Sequence, residues 1–152
     1  MQAPIPGIYA AACALLILVL AVRVVRARFR HRVGIGDAGH ADLALRVRVH
    51  ANAVEYVPLA LLLILMLELG GASTIWIHAL GGTLLLARIA HAIGLSTSSG
   101  TSPGRFVGTL LTWAVLLVAS VMLLFAVLAA WVAGVRAPPR TRPDGGRWPP
   151  AP

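Results

Sequence analysis

Residues 5–32, IPGIYAAACALLILVLAVRVVRARFRHR, begin as an uninterrupted apolar run and end in a cluster of Arg23, Arg26, Arg28, Arg30 and Arg32. The apolar part, Ile5 to Val25, is long enough to cross a hydrocarbon core of roughly 30 Å as a helix rising about 1.5 Å per residue. No basic residue precedes Arg23. A basic flank on one side only marks the cytoplasmic end of a span, which places the N-terminus outside.

Working outward, the same pattern recurs three times. A second apolar segment runs from about Leu43 to Leu69 and a third from about Thr74 to Leu95, joined by Gly70-Gly71-Ala72-Ser73, which is short enough to force an antiparallel hairpin. A fourth runs from Phe106 to Val132, after the Ser/Thr-rich stretch 96–104. Between the first two spans, Val33 to His40 is a Gly-rich loop, and Asp42 is expected to cap the helix that follows. The expected fold is therefore an all-α membrane protein, a four-transmembrane-helix antiparallel bundle occupying residues 1–134 with spans at about 5–25, 43–69, 74–95 and 106–132. Residues 135–152 change to Pro, Arg and Gly and are expected to form a disordered tail. The topology expected is multi-pass with both termini outside.

Composition agrees with the spans. Of 152 residues 59% are apolar and 12% charged, which leaves no room for a separate soluble domain. The formal charge is +8, and every basic residue is arginine. In so apolar a chain that bias reads as membrane orientation, and no nucleic-acid partner is expected. Cys13 has no second cysteine to pair with and lies inside an apolar run, so it reads as a small buried hydrophobe. The apolar stretch follows Cys13 instead of preceding it, which argues against a lipoprotein site or a cleaved signal. His50, His78 and His91 lack a ligand-spaced partner, and no metal is expected.

Ionisable groups within spans cost several kcal/mol unless paired or hydrated, which makes them site candidates. The second span carries Arg46, Arg48, His50, Asn52 and Glu55, then Pro58. At about 100° per residue, Arg48, Asn52 and Glu55 share one helix face, with Arg46 and His50 turned away. Pro58 is expected to kink the helix beyond Glu55. The third span adds Arg88 and His91 at i, i+3, and Arg105 precedes the fourth. Antiparallel threading brings Arg23, Arg48, Asn52, Glu55, Arg88, His91 and Arg105 to one membrane level. One reading is a set of snorkelling arginines around a single Arg48–Glu55 salt bridge that holds register. The other follows from stoichiometry: one deep carboxylate does not neutralise four or five arginines, and the surplus needs an anion, either phospholipid headgroups or a bound ligand. Glu68 and His78 flank the hairpin turn as wetted interfacial residues, and Trp76, Trp113 and Trp131 suit interfacial belts or bundle packing.

The string Arg48-Val49-His50-Ala51-Asn52-Ala53-Val54-Glu55-Tyr56-Val57-Pro58 resembles the second-helix signature of the MAPEG family, membrane-associated proteins in eicosanoid and glutathione metabolism, and looks most like its bacterial members. The likeness extends over about 130 residues, through the basic end of span one, the Gly-Asp loop, the Arg88/His91 pair and Pro103-x-Arg105. It implies a homotrimer with glutathione bound between subunits near the cytoplasmic side. Arg48, Asn52 and Glu55 would bind the peptide, Arg23, Arg88 and His91 would add charge or hydrogen bonds, and Arg105 would stabilise the thiolate. Two carboxylates and an ammonium suit this set, since arginines fork onto carboxylates and Glu55 accepts the ammonium. The activity implied is transfer of glutathione to, or reduction of, a hydrophobic electrophile entering from the lipid, with glutathione as co-substrate. Leu95 stands where several eukaryotic members have tyrosine, and Phe106 where some have a catalytic serine, which argues against a hydroxyl-assisted isomerase. The alternatives are a non-catalytic membrane protein binding lipid or thiol ligands and, less favoured, a small proton-coupled exporter built on Glu55.

Overall fold

A computed structural model of the chain describes residues 3–97 and 102–136. They form four helices: α1 Pro4–His31, α2 Ala41–Leu69, α3 Thr74–Thr97 and α4 Pro103–Arg136. All four contain a segment long and apolar enough to cross a membrane. The chain is a multi-pass integral membrane protein with a four-helix bundle fold. The Ser/Thr-rich connection at 98–101 and the Pro/Arg-rich segment 137–152 lie outside the described residues.

Helix α1 begins with prolines in its first turn, where a missing N–H costs nothing, and continues past Val25 to His31. Arg23, Arg26, Arg28 and Arg30 are thus helical, and Arg28, Arg30 and His31 fall in the last turn, where cations complement the helix dipole. Arg32 closes the helix in the left-handed region at φ 55°, and the Val33 N–H donates back to the Arg28 carbonyl at 3.1 Å. The chain then folds back over this turn, because Arg28 Nη1 donates to the carbonyls of Gly34 and Gly36 at 3.0 and 3.1 Å.

Asp42 departs from the expected capping role. Helix α2 starts at Ala41 with His40 at the N-cap position and no side-chain cap. Asp42 is already inside the first turn, and its carboxylate faces His31 Nε2 at 2.9 Å and Arg46 at 3.8 Å, tying the ends of α1 and α2 together. The helix continues through Pro58 to Leu69. Its end is a glycine cap: Gly71 sits at φ 84°, and the Ala72 and Gly70 N–H groups return to Leu67 and Met66.

Helix α4 starts on a built N-cap, with Pro103 in its first turn. The Ser102 hydroxyl accepts from the Arg105 N–H at 3.3 Å and donates to the Gly94 carbonyl of α3 at 2.7 Å. The capping side chain therefore also joins α3 to α4.

Helices α2 and α3 form the centre of the bundle; α4 packs on both, α1 packs on both from elsewhere, and α1 and α4 do not touch among the described residues. The larger core cluster, nearer the hairpin, includes Ala60 and Ile64 of α2, Leu80 and Leu84 of α3, and Val115 and Ala119 of α4. A smaller one gathers Leu20, Val49, Ala53 and Ala92 toward the basic end. Cys13 is fully buried. By contrast, α4 exposes Leu117, Leu124, Phe125 and Trp131 along its length, a surface suited to lipid and not to water. Trp76, Trp113 and Trp131 are all exposed, so none packs inside the protomer. At the hairpin end the Tyr9 hydroxyl lies 2.9 Å from His78 Nδ1, clamping α1 to α3.

Candidate functional site

The polar interior is built on α3. Arg88 projects inward and is 2% exposed, at a depth where a lone cation is costly. Its Nη1 donates to Asn52 Oδ1 at 2.8 Å and its Nη2 to the Gly108 carbonyl at 3.1 Å. The guanidinium also lies 5.8 Å from the centre of the Tyr56 ring. The partners come from α2 and α4, and none is a carboxylate, so the site keeps a net positive charge.

Gly108 makes this contact possible. A side-chain carbon there would stand 2.6 Å from the Ala87 carbonyl oxygen and 2.7 Å from His91 Cβ. Only glycine lets α4 approach α3 closely enough for Arg88 to reach a main-chain carbonyl. The Thr112 hydroxyl donates to the same carbonyl at 2.7 Å, filling its second lone pair.

One turn along α3, His91 is 4% exposed. Its Nδ1 lies 3.1 Å from Thr109 Oγ1 and 3.3 Å from the Arg105 carbonyl, while the Thr109 hydroxyl lies 2.9 Å from that carbonyl and donates to it. The carbonyl only accepts and the hydroxyl has its proton directed there, so Nδ1 carries the imidazole hydrogen. In the neutral imidazole His91 Nε2 is then an acceptor. Among the described residues neither it nor Arg88 Nε has a hydrogen-bond partner.

Arg48 and Glu55 stand outside this interior. They pair across two turns of α2 at 3.8 Å, at the limit of an ion pair, and are 65% and 51% exposed on the protomer surface. Asn52 lies between them in sequence, half-buried, with Oδ1 held by Arg88. Because a guanidinium only donates, Oδ1 must face Arg88, and the amide nitrogen is left as a donor toward the remaining surroundings. Asn52 thus holds the inner arginine from the helix that carries the outer pair. Arg48 also borders a shallow depression with Arg28, Gly36, Asp37 and Val47.

Arg105 is half-buried in the first turn of α4, its carbonyl bonded to His91 and Thr109. With Ser102, Phe106, Thr109, Leu110 and Trp113 it lines a cavity of about 280 Å³ whose wall is mainly apolar, and Phe106, Leu110 and Trp113 are exposed on the protomer surface. Arg23 is half-buried in α1. Arg46 and His50 are half-buried, with Arg46 directed to Asp42. Among the described residues no group of three or more His, Cys, Asp or Glu side chains is arranged to hold a metal ion.

Sequence reasoning missed Gly108, Thr109 and Tyr56. The first two had a signal: Gly104 and Gly108 stand four apart on α4, the small-residue spacing of close helix pairs, and Thr109 follows one turn after Arg105. Tyr56 carried none beyond its place beside Glu55.

Four membrane-length helices that enclose an arginine and a histidine at one end, and leave an Arg–Glu pair on the surface beside them, define a polytopic membrane protein with a cationic interior. The model of the MAPEG family matches residues 6–125, most of the chain, and the chain belongs to that family. The family includes glutathione transferases and peroxidases, and its members typically use glutathione. No curated protein matches this chain.

Proposed function

We propose that the protein is a glutathione-dependent transferase or peroxidase acting on hydrophobic electrophiles drawn from the bilayer. The observation that carries this reading is the surface-exposed Arg48–Glu55 pair within a membrane-length helix, the same helix whose Asn52 is bonded to the buried cation Arg88. Charges so exposed to lipid cost several kcal/mol. A second copy of the chain against this face of α2, with a zwitterionic ligand between, removes that cost and gives the surplus positive charge its anion. The functional unit is accordingly a homotrimer with glutathione between subunits, set in a bacterial inner membrane with both termini outside.

In this site Arg48 and Arg23 take the glutathione carboxylates and Glu55 takes the ammonium. The Asn52 amide nitrogen donates to the peptide. Arg88 acts through Asn52, which accepts from its Nη1. His91 fixes the first turn of α4 through the Arg105 carbonyl and so sets where the Arg105 guanidinium stands.

Arg105 is the catalytic residue of this reading. A guanidinium beside sulfur favours ionisation: the thiol releases its proton to water, and the resulting thiolate is the nucleophile. With an aryl halide, a carbon–sulfur bond forms and halide leaves. With a lipid hydroperoxide, sulfur attacks the terminal oxygen, the alcohol leaves, and a second glutathione converts the sulfenic acid to disulfide and water. The apolar cavity beside Arg105, lined by Phe106, Leu110 and Trp113, suits an electrophile arriving sideways from lipid.

Turnover of the purified protein with glutathione and either electrophile tests this. Arg105→Ala should lower kcat about 100-fold, the scale of losing one group that stabilises developing charge, with little change in glutathione affinity. Equal rates in the variant and the wild type would refute catalysis by Arg105. Phe106 is 68% exposed at the position next to Arg105 where a hydroxyl would assist, and this favours a second reading, a lipid- or thiol-binding protein without turnover. Saturable glutathione binding without product would select it.

A further inference from the structure

The basic end of α1 carries a second feature, which adjoins the Arg48 surface at Arg28. Val22, Val25, Phe29 and Arg32 recur at helical spacing and lie within about an 80° arc of one face at roughly 100° per residue. Val25 is 49% exposed and Phe29 80%. Where Arg32 turns the chain in the left-handed region, Val33 and Gly34 come back beside this face and wall a groove of about 430 Å³. Its far wall is not a loose loop, because Arg28 bonds both the Gly34 and Gly36 carbonyls. Ile35, at the tip of that wall, is 94% exposed.

Two observations name the occupant. Arg26, Arg30 and Arg32 are exposed, and among the described residues none of the three forms an ion pair with a carboxylate. The groove therefore has a cationic rim of Arg28 and Arg32 over an apolar floor of Val25 and Phe29, with Arg26 and Arg30 exposed nearby at the same end of the helix. Its polarity also follows the membrane: the arginines lie at the end of the span, and the apolar residues run about 10 Å back along the helix toward the bilayer centre. A soluble anion has no use for the apolar floor, and a neutral lipid has none for the rim. An amphiphile with a phosphate at one end meets both.

We propose that this groove binds an anionic phospholipid of the leaflet facing the basic end, with its phosphate on Arg32, in the field of Arg26 and Arg30, and its first methylenes on Phe29 and Val25. Arg28 is a positioning residue that holds the opposite wall. It shares none of Arg23, Arg48, Asn52, Glu55 or Arg105 with the glutathione reading, and meets the depression beside Arg48 only at Arg28.

Native mass spectrometry of the detergent-purified protein, incubated with phosphatidylglycerol and phosphatidylcholine of identical chains, tests the assignment. The wild type should retain phosphatidylglycerol over phosphatidylcholine by at least tenfold. Neutralising Arg26, Arg30 and Arg32 to Gln should weaken phosphatidylglycerol by about fivefold per arginine, while lysine at the same three positions keeps the preference. Phe29→Ser should weaken both lipids. Glycerol phosphate and glutathione, each lacking the chains, should not displace bound phosphatidylglycerol. Equal retention of the two lipids by the wild type overturns the proposal whether or not any variant folds. So does displacement by glycerol phosphate, which would mark a site for free phosphate, or by glutathione, which would make this groove part of the thiol site.

Discussion

Gly108→Ala is the sharpest structural test, because two opposite effects act at one atom. Alanine is favoured over glycine inside a helix by about 1 kcal/mol, so on propensity alone the change stabilises. The added methyl, however, would stand 2.6 Å from the Ala87 carbonyl oxygen and 2.7 Å from His91 Cβ. Ordinary contact lies near 3.5 Å, so α3 and α4 must part by nearly an ångström, at an overpacking cost of about 1–3 kcal/mol. That movement also lengthens the 3.1 Å bond from Arg88 to the Gly108 carbonyl beyond hydrogen-bonding range, which forfeits about 1.5–3 kcal/mol at a charged donor. The net loss is about 3 kcal/mol, or roughly 6–12 °C in melting temperature for a chain of this size. Tryptophan fluorescence during heating in detergent measures it. Gly82→Ala is the matched control within α3, since its methyl meets only the Tyr9 hydroxyl at 3.7 Å, and it should melt no lower than wild type. If Gly108→Ala melts with the wild type, or Gly82→Ala falls as far, the close approach of α3 and α4 is not what holds Arg88 in place.

Other substitutions separate the layers of the site. Asn52→Leu removes the acceptor 2.8 Å from Arg88 and should cost about 2–3 kcal/mol in the same melting experiment. Much of that loss should be absent when Arg88→Met is already in place, because the two side chains are coupled. Ser102→Ala removes the N-cap of α4 and its bond to Gly94, and should cost about 1 kcal/mol. If that cap positions Arg105, turnover should fall in kcat and not in glutathione affinity.

The fold was legible because each apolar run matches a bilayer thickness and the Gly70–Ser73 connection is too short for anything but a hairpin. The level of the polar residues followed from threading those runs antiparallel. Their pairings did not. The i, i+3 spacing places Arg88 and His91 on one face of α3, but which neighbour that face meets depends on how closely α4 approaches, and Gly108 sets that. Arg88 consequently turns inward to Asn52 and a main-chain carbonyl, while Arg48 and Glu55, on the same arc of α2 as Asn52, remain on the surface. Asp42 shows the same limit on a smaller scale. Its position near a helix start suggested a cap, yet His31 and Arg46, brought close by the fold-back after Arg32, hold its carboxylate.

The central claim is that the Arg48–Asn52–Glu55 face is a glutathione site, and calorimetric titration of glutathione into the detergent-solubilised protein tests it most directly. The claim predicts saturable binding to the wild type that is lost in Arg48→Ala and in Glu55→Gln, both exposed positions whose change leaves the helical far-UV spectrum intact. No binding to the folded wild type, or binding undiminished in both variants, would contradict it.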